Sequence, residues 1–276
     1  MGTKSDYELR GVNAARSVLV ELMQILGEYR ENMVLIGGWV PYFLFDATHT
    51  GSMDIYVALD RRTITEDAYR TIREHLEERG YRQGAQQYQF FRNVPQDDGT
   101  SIEVGIDFLA GEYGGTTRTH RHQDIQSDLK ARKARGCELA LEHHTKITVS
   151  CTMPDGGENS VEISLSDLVP FIVMKGMALY DRLKEKDAWD IYYCIKHFEG
   201  GYDALAKIFA PLMSETLVSE GLRKMRSKFL MLDSMGPVSV MKFEEAEERE
   251  ERERIQRDAF EQVNALLDLL HIKPFK

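Results

Sequence analysis

The stretch from Leu35 to Asp60, LIGGWVPYFLFDATHTGSMDIYVALD, sets a Gly-Gly turn ahead of a Gly-Ser-x-Asp strand start. Residues 33–36 read as a short apolar strand running into Gly37-Gly38, where the backbone can approach a phosphate with no side chain in the way. An apolar helical stretch follows over 39–45, and Gly51 and Ser52 then deliver Asp54 at the head of a second strand, 54–59. On a later strand, 101–109, period-2 alternation puts Glu103, Gly105 and Asp107 on one face and Ile102, Val104, Ile106 and Phe108 on the other. The chemistry such residues suit is nucleotidyl transfer, attack on the α-phosphate of a nucleoside triphosphate. That reaction needs a divalent metal held by carboxylates on a rigid sheet, with donors for the other phosphates. Asp54 is the first ligand candidate, Asp107 the second, and Glu103 a weaker substitute. Ser52, with the backbone N–H groups of Gly51 and Ser52, would serve a phosphate. The plain alternatives are a cap or turn role for Asp54, a strand-end carboxylate for Asp107 and a turn serine for Ser52.

A second cluster lies in FIVMKGMALYDRLKEKDAWDIYYC. Lys175 stands on an otherwise apolar helix, a costly place for an ammonium unless it is paired or reaches a ligand. Asp187 and Asp190 are spaced i,i+3, so both can face one side of the next helix. One reading puts Lys175 on a triphosphate, with Asp187 or Asp190 orienting it or acting near an acceptor hydroxyl. The other is a structural salt bridge from Lys175 to Asp187 or Asp190, with Asp187 as a helix cap.

The elements that must position these residues are a helix over 6–29, the two strands of the Gly-Gly segment and an amphipathic helix over 65–79 stopped by Gly80. Strands over 87–94 and 101–109 follow, joined by PQDDG, and then a strand pair over 146–152 and 160–164 around PDGG. After residue 166 the pattern turns helical, over 168–180, 187–196, 202–213, 214–232 and 243–270. The expected fold is α/β (α+β): a mixed sheet flanked by helices over 1–165, then a helical domain over 166–276.

The 276 residues, 42% of them hydrophobic, suffice for a real core in one large or two modest domains. No run reaches the roughly 18 apolar residues of a membrane span. The polar start carries no secretory h-region, and Cys137, Cys151 and Cys194 form no ligand cluster, so reduced thiols and a cytoplasmic location are expected. Net charge is −10, which argues against non-specific coating of nucleic acid. A basic strip nonetheless gathers Arg118, Arg121, Lys130, Arg132, Lys133 and Arg135, with His120 and His122, and offers an acceptor-binding surface. Its plain reading is a solvated helix face. The acidic run over 244–258 reads as solvated, with a partner contact as the alternative.

Three segments together, GGWVPYFLF…GSMDIYVALD, VGIDFL and MKGMALYDRLKEKDAWDIYY, resemble the AbiEii/AbiGii-type nucleotidyltransferase toxin family of the DNA polymerase beta-like nucleotidyltransferase superfamily. The resemblance covers about residues 30–200 and leaves the last third unanchored. It implies a nucleotidyltransferase-type sheet with a helical C-terminal portion, magnesium- (or manganese-) dependent use of a nucleoside triphosphate, and a toxin's place beside a cognate antitoxin. Some relatives add nucleotides to tRNA 3′ ends. By resemblance Gly37, Gly38, Gly51 and Ser52 would hold phosphates and Asp54 and Asp107 the metal. Lys175 would meet the triphosphate, and Asp187 and Asp190 would complete the site.

Tyr56 departs from that pattern, which expects Asp-x-Asp. A phenol with an ordinary pKa of about 10 stays protonated and cannot bridge two cations as a carboxylate can. Three readings follow: a protein that binds nucleotide or partner without turnover, a site working with one metal ion on Asp54 and Asp107, or an introduced substitution that silences a toxin. Transfer of a nucleotide to a small molecule or a protein hydroxyl is a further alternative to RNA.

Overall fold

A computed structural model describes residues 2–46, 48–64, 71–112, 122–182 and 184–275. In chain order these form α1 (Leu9–Ile25), β1 (Met33–Ile36), α2 (Trp39–Leu44), β2 (Ile55–Leu59), α3 (Ile72–Glu78), β3 (Arg82–Gln83), β4 (Gln89–Pro95) and β5 (Ser101–Ala110). Then come β6 (His122–Gln126), β7 (Leu129–Lys133), α4 (Cys137–Glu142), β8 (His144–Thr152), β9 (Glu158–Ser166), α5 (Leu168–Asp181) and α6 (Glu185–His197). The chain ends in α7 (Gly201–Phe209), α8 (Thr216–Lys228), α9 (Met235–Phe243) and α10 (Arg249–Leu269). Two compact units result: a sheet unit of residues 7–40 and 50–167, and a helical unit of residues 1–6, 41–49 and 168–276. Among the described residues no helix is long and apolar enough to cross a membrane.

Among the described residues the sheet unit forms a mixed nine-stranded sheet whose main path runs β3-β4-β5-β2-β1-β9-β8, with β7 also pairing β5 and β6 pairing β7. The central strands read as they pack. Met33, Val34, Leu35 and Ile36 of β1 are all buried, as are Ile55, Val57, Ala58 and Leu59 of β2, which is how strands covered on both faces must be built. Two hairpins close through glycines at positive φ, Gly99 between β4 and β5 and Gly156 between β8 and β9, where a side chain would strain the turn. α1 packs its Val18, Leu19 and Leu22 stripe into the core and lies against β5, β8 and β9.

In the helical unit α5 packs against α6 and α8, while α6 packs against α9 and α10. Gly176 of α5 and Gly221 of α8 are the contact that lets two of these helices approach. A Cβ at Gly176 would stand 2.5 Å from the Gly221 carbonyl oxygen.

Several expectations change. The first helix stops at Ile25 and gives way to 3-10 turns over Gly27–Asn32. Of the helix expected over 65–79, the described part starts at a capping box. The Thr71 hydroxyl accepts from the Glu74 N–H at 3.1 Å and the Glu74 carboxylate from the Thr71 N–H at 2.9 Å; residues 65–70 lie outside the described residues. The described basic strip is a β-hairpin and not a helix face, because Gln123 and Ile125, then Leu129 and Ala131, alternate into the core. The helix expected over 243–270 starts only at Arg249, after Glu245 takes a positive φ of 57°, and α9 lies almost wholly in the 233–242 stretch where no helix was expected. Helix α4 was not expected.

Candidate functional site

The candidate residues fall into two clusters, one in each unit. In the sheet unit β2 and β5 run parallel with Ile55 opposite Ile106 and Tyr56 opposite Asp107. Asp54 therefore precedes β2 beside Gly105, and its Oδ1 lies 2.9 Å from where a Cβ at Gly105 would stand. Asp54, Tyr56, Gly105 and Asp107 share one face, as alternation requires. Asp54 is exposed and Asp107 half-buried. Burial pushes the Asp107 carboxyl above the usual carboxylate range. The Arg132 guanidinium and a hydrogen bond with Gln89 oppose that rise, while the Asp54 charge adds to it. A half-buried carboxylate whose ionisation a neighbouring acid opposes is a place a cation would relieve.

Two contacts fix the approach to Asp54. The Trp39 indole N–H donates to the Asp54 carbonyl at 3.0 Å. The Asp54 N–H points at the Ser52 hydroxyl at 3.4 Å, so buried Ser52 plays the turn role at least. Gly37 takes φ +78°, and a Cβ there would meet Tyr56 Cδ2 at 3.1 Å. The tyrosine ring thus lies on the Gly-Gly turn itself. Glu103 is engaged by Arg82 at 2.9 Å, which leaves Asp107 the better partner for Asp54.

Asp107 also sits where β5 changes neighbours. Pairing with β4 ends at Gln89 opposite Asp107, and pairing with β7 begins at Leu109 opposite Arg132. Arg132 reaches back to within 3.8 Å of Asp107, across the diagonal that long side chains can span. Its guanidinium also stands over the Tyr88 ring at 5.7 Å, and Tyr88 stacks on His122 at 5.3 Å. Two others of the described strip are engaged elsewhere: Lys130 lies 3.7 Å from Asp124, and Arg135 lies 2.8 Å from Glu112. Arg118 and Arg121 lie outside the described residues.

In the helical unit Lys175 of α5 meets both acidic residues of α6. Its Nζ donates to Asp187 Oδ1 at 2.7 Å and stands 2.6 Å from Asp190 Oδ2, a close ion contact rather than an aligned hydrogen bond. Three further groups join them: Lys186, which opens the Lys-Asp-x-x-Asp segment of the sequence, and Arg182 and His49, which were not singled out. Arg182 Nε donates to Asp187 Oδ2 at 2.8 Å, Lys186 Nζ to Asp190 Oδ1 at 2.7 Å, and His49 Nε2 lies 2.9 Å from Asp190 Oδ1. Asp187 and Asp190 are fully buried. Burial would raise the Asp190 carboxyl, but Lys175 and Lys186 outweigh it and hold it well below the usual range; Asp187 is lowered likewise, by Lys175 and Arg182. Burial would lower the Lys175 ammonium, but the two carboxylates hold it above the usual lysine range. Lys186 goes the other way: burial, with the Lys175 charge, outweighs Asp190 and lowers it. Burial and Lys186 push His49 down to about 4 against the pull of Asp190. His49 is therefore neutral at pH 7, and its Nε2–H is the donor to an ionised Asp190. The sequence signals for this network were the lone lysine on an apolar helix ahead of the Asp187/Asp190 pair and the i,i+4 spacing of Lys186 and Asp190; nothing local pointed to His49.

Among the described residues no group of three or more His, Cys, Asp and Glu is arranged to hold a metal ion. Asp54 and Asp107 alone fit a magnesium ion of the kind held by one or two carboxylates and completed by substrate phosphates and water. Tyr56, in register with Asp107, adds a phenol and no third carboxylate. No family model matches the chain, and a search of curated proteins returns no match.

Proposed function

We propose that this chain is a metal-dependent nucleotidyltransferase that moves a nucleoside monophosphate from a nucleoside triphosphate to an RNA acceptor, tRNA being the leading one. What carries the reading is the carboxylate pair, Asp54 and Asp107, on one face of adjacent parallel strands beside the Gly37 turn. Magnesium or manganese held by that pair would polarise the phosphate oxygens and stabilise charge on them. The chain's own part is to fix the carboxylates, with Asp54 seated over Gly105, and to offer the Gly37-Gly38 backbone and Gly51-Ser52 to phosphates. Lys130 and Lys133 on the β6–β7 hairpin supply the acceptor surface. A toxin's role and a cognate antitoxin come with the resemblance, and a cytoplasmic setting with the scattered cysteines and polar start. The resemblance also brings a catalytic part for Lys175, Asp187 and Asp190, whose ion-pair network is by itself a sufficient structural role.

A second reading, nucleotide or partner binding without turnover, is favoured by Tyr56, which replaces a ligand and lies on the glycine turn. One experiment separates them: label transfer from each of four α-labelled nucleoside triphosphates to bulk tRNA, with magnesium or manganese, for this chain and for Tyr56→Asp. Transfer by the chain itself establishes an enzyme whose site tolerates tyrosine. Transfer only by Tyr56→Asp establishes a site silenced at one ligand. Silence from both, with nucleotide still bound, establishes the second reading or another acceptor.

A further inference from the structure

Resting on the nucleotidyl-transfer reading, we propose that Arg132 binds a phosphate of the nucleoside triphosphate at the Asp54–Asp107 pair and supplies the positive charge that a second metal ion would supply beside an acidic residue 56. Three observations on one face of the sheet lead there. Residue 56, in register with Asp107, is a neutral phenol, so among the described residues the pair has ligands for one cation and not for two. Arg132 is the cation that β7 brings to the pair, where β5 exchanges β4 for β7. Its distance of 3.8 Å from Asp107 is beyond a hydrogen bond. The guanidinium is thus close enough to compensate the carboxylates, yet its donors are not spent on them. The face of Tyr88 holds it in place.

The other cations make the contrast. Lys175 has two carboxylates within 2.7 Å, and Arg135 has Glu112 at 2.8 Å. A guanidinium beside a metal-binding carboxylate pair can take two phosphate oxygens at once, which an ammonium cannot. Arg132 thereby passes from the acceptor surface, where its place in the basic strip puts it, to the nucleotide.

The test uses the full chain with Mn2+ and the α,β-methylene analogues of ATP, GTP, CTP and UTP, reading nucleotide affinity by calorimetry and bound Mn2+ by electron paramagnetic resonance. The chain should bind one Mn2+. Arg132→Gln should weaken the preferred analogue roughly 10- to 100-fold while leaving Mn2+ affinity unchanged or tighter. Arg132→Lys should recover part of the loss, and Arg135→Gln should lose nothing. Tyr56→Asp combined with Arg132→Gln should bind a second Mn2+ and regain affinity. Unchanged analogue affinity in Arg132→Gln, or two Mn2+ bound by the chain itself, overturns the proposal and leaves the nucleotidyl-transfer reading standing. Failure of both the chain and Tyr56→Asp to bind any analogue overturns that reading, and this proposal with it. A thermal melt matched to the parent guards against misfolding, which the half-exposed position of Arg132 makes tolerable.

Discussion

The carboxylate of Asp54 rests in the space left by the missing side chain of Gly105, its Oδ1 2.9 Å from where a Cβ would stand. Gly105 lies on the same face of β5 as Asp107, one alternation away, so the absence of a side chain there is what lets the two acids come together. Gly105→Ala needs no change of backbone conformation and pushes only the tip of a flexible side chain. We expect stability to hold or to rise by up to about 1 kcal/mol, since alanine suits a strand interior better than glycine. Mn2+ affinity should fall roughly 10- to 100-fold as Asp54 is displaced. Mn2+ titration alongside a thermal melt reads both, and unchanged affinity would show that Asp54 takes no part in holding the ion.

Asp107 is ionised at a cost. Its carboxyl is raised in the folded chain by burial and by Asp54, so between the ordinary carboxylate value of about 3.9 and that raised value the folded state binds more protons than the unfolded one. Stability contributed by this group therefore falls as pH rises through that window, and at pH 7 the full cost is present. Asp107→Asn should raise stability at pH 7 without metal, by about 0.5–2 kcal/mol, and should give no gain at pH 3. Denaturant unfolding at the two pH values checks it; a destabilised Asp107→Asn at pH 7 would mean that Arg132 outweighs burial and Asp54.

Local pattern carried much of this. The strand from Met33 to Ile36, the Gly37 turn, the hairpin around PDGG and the helix bearing Lys175 are all set by residues close in sequence, and they stand in the structure. The hairpin at 122–133 was readable too, from the alternation of Leu129 and Ala131, but its charges mask a short apolar period. Other features depend on register or on distant partners. That Tyr56 faces Asp107 needs the pairing of β2 with β5. The break at residues 244–248 coincides with Glu244 meeting the Trp189 indole and Lys4, and with Glu245 accepting from Ser5, some 240 positions away. His49 carries no local signal in the sequence, and only the packing of α6 shows its partner.

His49 ties stability to pH between about 4 and 6.5. Its folded pKa is lowered from the model-peptide value of 6.5 to about 4. In that window the unfolded chain takes up a proton that the folded chain refuses. Stability is therefore fully present above about 6.5 and is lost as pH falls toward 4, by on the order of 3 kcal/mol in all. The groups around the ring are Asp190, Lys186, Lys175 and the Trp189 and Tyr193 rings. His49→Gln keeps a donor for Asp190 but cannot titrate, so its unfolding free energy should be much flatter from pH 7 to 4.5. An equal slope in both proteins would place the titration elsewhere.

Lys175 and Asp190 should respond unequally to removal. Asp190→Ala leaves Lys186 buried without its carboxylate and Lys175 with Asp187 alone, so it should cost about 3–5 kcal/mol, the cost of stranding a buried charge. Lys175→Met removes a cation from a cluster that has three against two carboxylates. Asp187 keeps Arg182, and Asp190 keeps Lys186 and His49. A methionine fills similar volume on an apolar helix, so Lys175→Met should cost less than Asp190→Ala by at least about 1 kcal/mol. Urea unfolding of both variants decides the order. If Lys175→Met is the mild substitution in stability and still abolishes binding of a triphosphate analogue, the lysine has a ligand role beyond its ion pairs. If binding survives, the network is structural and the site belongs to the sheet unit.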